Sequence, residues 1–417
     1  MSIQKHLILQ AKILTLIIII FITLYTFLIS TAFLYTKGLK AHIESQDFTA
    51  YYMAGQLVIR NAGQNFYNPS TQNYWQEKYS TDLGKYYRLR PFFYPAFSSL
   101  IFVPFAILPL SSAYFSWMFF NILLLIYTYK NILWEVVSKK TYAKIFSVLL
   151  LISYSPIIFT VVSGQISFVL VLSVVMARRA FLDNQKIRTG LWLSLLLIKP
   201  QYVLVPFLFF IFRKELTVLK SFLAGASLVT VLSIAIVGLK GVQQYIRLLA
   251  EIAGWKNAYT INSEYMYTWR GFIQLFFKTK DFHSIQLYWI AGVLIILALL
   301  LFIWRQKIQN KIALFDLQWS SVIIGTILIS PYTSGQDLSM LPIAAMLILF
   351  WIQKAKKSKI FYYLFILIIL IGYFAPLVSD AISSLGIQIH APYMFGALFL
   401  LAVFLHKSPK PIAKRIT

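Results

Sequence analysis

The chain has 417 residues, of which 59% are hydrophobic and only 12% are charged, and its formal net charge is +25. A soluble domain usually carries about 25% charged residues, so this composition excludes a soluble globular protein and predicts an integral membrane protein. The chain contains no cysteine, which excludes disulfides, thiolate metal sites and cysteine catalysis.

The basic residues lie in short clusters between apolar segments, which is the positive-inside pattern of a membrane protein. We therefore expect contacts with membrane lipids and no nucleic-acid partner. The five histidines lie far apart in sequence, so no metal-ligand spacing is visible. We expect neither a metal nor another cofactor.

The apolar segments predict an all-α polytopic membrane protein, a single integral domain over residues 1–417 with about twelve membrane helices. The first segment, 13–34, is uncharged and long enough to cross a bilayer core of about 30 Å. Its apolar stretch is too long for a cleaved signal peptide. The other long segments are 112–130, 145–162, 166–181, 221–238, 287–304, 315–330, 338–352, 360–378 and 391–405.

Residues 35–111 are predicted to form a large first external loop, rich in aromatic and polar side chains. Within it, 97–110 is short and holds two prolines, so we interpret it as a juxtamembrane helix. Asp47 precedes an amphipathic helix start and occupies an N-cap position. Tyr51, four residues later, is expected on the same helix face. Helix capping and a chemical role for Asp47 are both open at this point.

The segment 189–212 is ambiguous because both of its flanks are basic. The flanking residues are Arg178, Arg179, Lys186 and Arg188 on one side, and Arg213, Lys214 and Lys220 on the other. A single crossing would leave one cluster outside and Lys199 near the bilayer centre, at a cost of about 3 kcal/mol or more. Two short helices that meet at Lys199-Pro200-Gln201 avoid both problems. With this hairpin, 24 of the 38 Lys and Arg residues fall in inner segments, and both termini are cytoplasmic.

Polar residues near the predicted outer side are candidates for a site, because long loops with aromatic and charged content often carry function. A second large external loop is predicted over 239–286. The candidates for binding a substrate, or the phosphate of a substrate that donates a group, are Arg88, Arg90, Tyr51, Tyr94, Gln165, Lys199, Arg270 and Asp337. Gln165 also fits a simple turn, Arg270 an interfacial anchor, and Asp337 a helix N-cap.

The chemistry of these candidates is coherent. A carboxylate such as Asp47 can act as general base on a sugar hydroxyl, and cations such as Lys199, Arg270 and Arg88 or Arg90 can stabilise a departing phosphate. No Asp-x-Asp pair occurs in the chain, which argues against a metal-bound nucleotide-sugar site.

Several motifs in this order resemble glycosyltransferase family 87, over roughly residues 40–350. They read DFTAYYMAG, NFYNP, FFYPAFSSLIFVPFAILPL, SGQISFVLVL, TGLWLSLLLIKPQYVLVPFLF, MYTWRGF and SPYTSGQDLSMLP. Members of this family are membrane transferases with the GT-C fold that use polyprenyl-phosphate sugars.

The resemblance implies that Asp47 is the catalytic base. It also implies an inverting, metal-free transfer from a polyprenyl-phosphate sugar donor to a lipid-linked or glycan acceptor. The sugar is often mannose, although related enzymes also use arabinofuranosyl donors. We accordingly expect a protein of the bacterial cytoplasmic membrane whose active site faces outside.

Two other function classes remain open. A multi-span transporter or lipid-linked-sugar flippase fits the helix number and the broken hairpin, but no internal repeat is visible. A polysaccharide polymerase or ligase also fits a multi-span chain, but the loop richest in polar and aromatic residues here is the first and not a late one.

Overall fold

The computed structural model describes residues 38–81, 88–136, 141–253, 266–277, 282–354 and 359–407. Within these ranges every regular element is a helix, in agreement with the predicted all-α class. The predicted first span, 13–34, lies outside the described residues.

The α-helices are numbered here in chain order. They are α1 (Leu39–Glu44), α2 (Phe48–Ile59), α3 (Pro69–Tyr79), α4 (Val103–Ala106), α5 (Leu110–Val136), α6 (Thr141–Ile152), α7 (Ser155–Val162), α8 (Ser167–Leu182), α9 (Lys186–Ser194), α10 (Leu204–Phe212), α11 (Leu216–Ala253), α12 (Trp269–Phe277), α13 (Phe282–Arg305), α14 (Lys311–Ile329), α15 (Leu341–Lys354), α16 (Lys359–Ser384) and α17 (His390–Lys407). Short 3₁₀ helices lie at Gly63–Asn65, Ala96–Ile101, Leu195–Ile198, Pro200–Tyr202 and Gly335–Met340.

Six helices in the described ranges are long and apolar enough to cross a membrane. They are Leu110–Ile132, Leu216–Glu251, His283–Arg305, Lys311–Ile329, Gly335–Lys354 and Lys359–Ser379. In the α14 span 89% of the residues are buried within the protein, against 61% or less in the other five spans. Among these six, α14 is therefore the central helix. The total of about twelve membrane helices stays a prediction.

The segment 186–215 leaves one end of the bundle and returns to it. Its helix is interrupted at Lys199, whose φ and ψ are −125° and 87°, and short 3₁₀ turns stand on both sides. Pro200 supplies the local reason, since it lacks the N–H that a continuous helix requires. Lys186 Nζ lies 2.8 Å from Glu215 Oε2, so the start of α9 and the end of α10 are neighbours. The structure thus has the pair of half-helices that the basic flanks predict.

Two other boundaries follow from proline and glycine. The predicted segment 145–162 differs from the structure, which has α6 and α7 separated by Ser153 and Tyr154. Pro156 explains the division, because proline suits the first turn of a helix and not its interior. In α11, Gly238 has a φ of 64° and bends the helix where the second external loop was predicted to begin.

The first predicted loop contains α1 to α4 and a dense aromatic cluster. The short helices Ala96–Ile101 and α4 agree with a juxtamembrane segment and not with a full span. Gln56 donates its side-chain amide to the Ala106 carbonyl at 2.5 Å, and this bond ties α2 to α4. Tyr51 stacks on Phe102 with ring centroids 4.7 Å apart. These contacts fix the position of α2 and of Asp47, the residue that precedes it.

Candidate functional site

Asp47 stands immediately before α2, but its side chain does not cap that helix. Its φ and ψ are helical, and the carboxylate accepts no capping hydrogen bond from the first turn. The backbone N–H of Phe48 donates to the Ser163 carbonyl at 3.0 Å instead. The side chain of Asp47 is 40% exposed. Its oxygens are therefore available for contacts outside the helix.

The turn between α7 and α8 fits closely against the start of α2. Gly164 has a φ of 67°, and a Cβ on it would lie 2.6 Å from the Cβ of Phe48, so only glycine suits this position. From α5, Trp117 donates its indole N–H to the Gly164 carbonyl at 2.8 Å. Asn121 donates its side-chain amide to the Gln165 carbonyl at 3.0 Å. The position of Gln165 is consequently well fixed.

A chain of side-chain hydrogen bonds begins at Asp47. Gln165 donates its amide Nε2 to Asp47 Oδ2 at 2.5 Å. Tyr51 donates its hydroxyl to Gln165 Oε1 at 2.6 Å, and the same hydroxyl lies 3.0 Å from the hydroxyl of Tyr94. The chain joins the first loop to the turn at Gly164-Gln165, which is more than a hundred residues away in sequence.

Arg90 supplies a cation on the other side of the carboxylate. Its Nε lies 3.5 Å from Asp47 Oδ1, and its side chain is 29% exposed. Two glutamines of α3 hold the backbone of this segment. Gln76 donates to the Arg90 carbonyl at 2.8 Å and accepts from the Arg90 N–H at 2.6 Å. Gln72 clamps Phe92 in the same way, at 3.2 and 2.9 Å. Sequence reasoning did not find these glutamines, although their i, i+4 spacing on one helix face was a usable signal.

Lys199 and Asp337 form a second, fully buried group. Lys199 Nζ lies 2.6 Å and 2.8 Å from the two carboxylate oxygens of Asp337, and the side chains are 2% and 0% exposed. Ser167 and Tyr202 donate their hydroxyls to the same carboxylate, each at 2.8 Å. Asp337 also completes the capping box with Ser334 at the helix Gly335–Met340. The lysine at the helix break is thus neutralised by a partner 138 residues away.

Tyr94 lies between the two groups. The ammonium of Lys199 is 5.7 Å from the ring centroid of Tyr94, and the Tyr94 hydroxyl is next to that of Tyr51. Although the Asp47 side chain is 40% exposed, the protein around it partly desolvates the carboxyl group and raises its pKa, while Arg90, the hydrogen bond from Gln165 and the charge of Lys199 lower it. The two carboxylates therefore share one electrostatic environment.

Two aromatic side chains, Phe93 and Tyr332, form an aromatic wall beside Asp47 and Asp337. Tyr332 makes an edge contact with Phe93, with ring centroids 6.0 Å apart. Burial raises the pKa of Tyr332 to about 12, and the negative charges of Asp47 and Asp337 add to this effect. Neither Tyr332 nor Phe93 was among the binding candidates from the sequence, because their proximity depends on chain segments more than two hundred residues apart.

Comparison with known families assigns the chain to a family. A family model described as glycosyltransferase family 87 matches residues 92–331, more than half of the chain. The chain belongs to glycosyltransferase family 87. It is therefore a membrane glycosyltransferase. No curated protein and no solved structure matches the chain significantly.

The family match covers part of the site. In this family 87 glycosyltransferase, Tyr94, Gln165 and Lys199 lie inside the matched residues. Asp47 and Asp337 lie outside them, so their roles depend on the geometry described above.

Arg270 and Arg88 are placed apart from these contacts in the described part of the glycosyltransferase. Arg270 is buried on α12, with its guanidinium 5.6 Å from the ring centroid of Trp289 on α13. Arg88 is exposed in the segment that leads to Arg90. The structure thus joins Asp47 to Gln165, Tyr51, Tyr94 and Arg90, and joins Lys199 to Asp337 beside them.

Across the described ranges, no three His, Cys, Asp or Glu side chains form a group suited to holding a metal ion. The chemistry available at the site is that of one partly exposed carboxylate, one partly exposed arginine and an aromatic wall. This set can accept a proton and bind an anion.

Proposed function

We propose that this family 87 enzyme transfers a sugar, mannose-like, from a polyprenyl-phosphate donor to a lipid-linked or glycan acceptor, with Asp47 as general base and inversion at the anomeric carbon. One observation carries the proposal. Asp47 is oriented by Gln165, faces Arg90 at 3.5 Å and remains 40% exposed. A carboxylate that is both held and accessible suits proton abstraction from a bound hydroxyl.

In the proposed reaction, Asp47 removes the proton from an acceptor hydroxyl as its oxygen attacks the anomeric carbon of the donor. The bond between that carbon and the phosphate oxygen breaks, and its electron pair leaves with the polyprenyl phosphate. Attack from the face opposite the phosphate inverts the configuration. The proton resides on Asp47 until it is released to solvent.

We assign the donor phosphate to Arg90, because its partly exposed guanidinium is a fixed donor beside the base. Arginine offers planar, paired N–H groups that match phosphate oxygens. Lys199 is neutralised by Asp337 at 2.6 Å, so we assign it to the floor of the site, where its field still acts on Asp47. Arg270 and Arg88 remain candidates for contacts with more distant parts of the substrates.

The proposed location is the outer face of a bacterial cytoplasmic membrane, with both chain termini in the cytoplasm. The ends of the hairpin support this orientation. Lys186 begins the first helix of the hairpin and Arg213 follows its last helix, while Lys199 between the two helices contacts Asp337 and Tyr94. We therefore assign the site to the end of the bundle away from the basic clusters, which the positive-inside rule favours as the outer end.

The test uses purified protein in detergent micelles, where no gradient exists. The donor is polyprenyl-phosphate mannose with a labelled sugar, the acceptor probes are octyl mannoside and extracted membrane glycolipids, and GDP-mannose serves as the control donor. We expect labelled glycoside and free polyprenyl phosphate, inverted anomeric configuration by NMR, and no product from GDP-mannose. A lipid donor that stays unconsumed with every acceptor would contradict the proposed donor, because the family assignment fixes only that the chain is a glycosyltransferase.

A further inference from the structure

Gln165 is shared between Asp47 and Tyr51, and this arrangement has a mechanistic consequence. We infer that Tyr51, acting through Gln165, is a positioning residue that keeps the Asp47 carboxylate deprotonated and directed at the acceptor. The inference rests on the proposed role of Asp47 as base. It changes the predicted role of Tyr51 and Gln165 from contact with the donor to control of the base.

The side-chain amide of Gln165 has one accepting end and one donating end. The Tyr51 hydroxyl donates to Oε1 at 2.6 Å, so the amide presents its Nε2 hydrogens to Asp47. A donor in this position stabilises the ionised carboxylate and disfavours the protonated acid. As a donor to Oε1, the hydroxyl of Tyr51 favours the amide orientation that stabilises the ionised form of Asp47.

Without that hydroxyl, the amide loses the partner that fixes its orientation. It can rotate to present Oε1 to Asp47, where it accepts a hydrogen bond from the protonated carboxyl. Removal of the Tyr51 hydroxyl is thus expected to favour the protonated acid, which cannot act as a base.

The hydroxyl of Tyr51 can be removed without disturbing the ring. The ring is buried and stacks on Phe102 with centroids 4.7 Å apart and planes 14° apart. It also makes an edge contact with Phe92 at 6.2 Å. Tyr51→Phe keeps these contacts, so its effect reports the hydrogen bond and not the packing.

Other charged and titratable groups also face Asp47. They are Arg90 from the segment after α3, Lys199 with its partner Asp337, Tyr332 from the connection after α14, and Tyr94 beyond Tyr51. The charged groups are present in both wild type and Tyr51→Phe, so the comparison isolates the Tyr51 hydroxyl and its two hydrogen bonds, to Gln165 and to Tyr94.

Tyr52 offers a matched control. It is the next residue of α2, is also buried, and donates its hydroxyl to the Leu108 carbonyl at 2.9 Å on another face of the helix. Tyr52→Phe removes the same chemical group but leaves Gln165 and Asp47 unchanged.

The test measures the titration of Asp47 in the full-length protein by its infrared carboxyl band, identified by its loss in Asp47→Asn. We expect the titration midpoint to rise by about 0.5–1 pH unit in Tyr51→Phe, a fraction of what a hydrogen bond to a charged group supplies. Tyr52→Phe should keep the wild-type midpoint. The acid limb of kcat/KM should move with the infrared midpoint, while the KM for the donor stays within about twofold, because the Tyr51 hydroxyl is occupied inside the protein.

Gln165→Leu is the second variant, and it should raise the midpoint at least as far as Tyr51→Phe. Wild-type midpoints in both variants would overturn the inference. A raised KM for the donor in Tyr51→Phe with an unmoved midpoint would also overturn it, in favour of direct donor contact. The failure of the proposed base is distinguishable: if Asp47→Asn retained full activity, the infrared shift in Tyr51→Phe would still stand by itself.

Discussion

Replacing Arg90 with glutamine removes the guanidinium whose Nε lies 3.5 Å from Asp47 Oδ1. The positive charge favours the ionised carboxylate and so lowers the pKa of Asp47. Its loss must raise that pKa. Since the base acts only when ionised, the acid limb of kcat/KM moves to higher pH.

The size of this shift follows from the geometry of the pair. Two unit charges at this distance interact by about 1 kcal/mol in water. The two side chains are 29% and 40% exposed, and exposed ion pairs contribute about 0.2–1 kcal/mol. Because one pKa unit corresponds to about 1.4 kcal/mol, the acid limb should rise by about 0.1–0.7 pH units.

The assay is sugar transfer at subsaturating donor across the acid range, which reports the groups of the free enzyme. Arg60→Gln is the control. Arg60 follows the end of α2 opposite Asp47, and its guanidinium lies 4.4 Å from the ring centroid of Trp75. Overall activity of Arg90→Gln should also fall, because we assign the donor phosphate to this residue. An acid limb that stays in place, or moves to lower pH, would refute the electrostatic coupling between Arg90 and the base.

Two further predictions concern stability, measured by thermal unfolding through tryptophan fluorescence. Lys199→Met leaves the buried carboxylate of Asp337 without its cation and should lower the free energy of unfolding by about 3–5 kcal/mol. Its control, Lys186→Met, breaks a partly exposed pair and should lower it by about 1 kcal/mol or less. Equal losses would contradict the buried pairing. Gly164→Ala should destabilise more than Gly38→Ala, because both have positive φ but only Gly164 brings the new Cβ within 2.6 Å of Phe48; equal losses would mean that the close approach to α2 does not matter.

Charge and proline were enough to predict the break at Lys199. Basic flanks on both sides of 189–212 require an even number of crossings, and a lone lysine at membrane depth is costly. The partner that neutralises Lys199 was not predictable as such. Asp337 is 138 residues away, and the packing of α8, the hairpin and the 3₁₀ helix Gly335–Met340 brings the two together.

Asp47 shows a second limit of sequence reasoning. Its position before α2 correctly predicts a helix boundary, but the same position also fits a capping role that the side chain does not take. The choice depends on Phe48 donating to Ser163 and on Gln165 reaching Asp47, both contacts across more than a hundred residues. The division of 145–162 into α6 and α7, by contrast, was readable from Pro156.

The most direct test of the central claim is single-turnover sugar transfer by Asp47→Asn at equal amounts of folded protein. Asparagine keeps the size of the side chain and an oxygen that can accept from Gln165, but it cannot take a proton. Asp183→Asn is the control, since Asp183 is an exposed carboxylate 3.9 Å from Arg179 and follows the end of α8 that is opposite Ser167 and Gln165. We predict a loss of about a hundred- to ten-thousand-fold for Asp47→Asn and a wild-type rate for the control. A wild-type rate for Asp47→Asn would contradict Asp47 as the base.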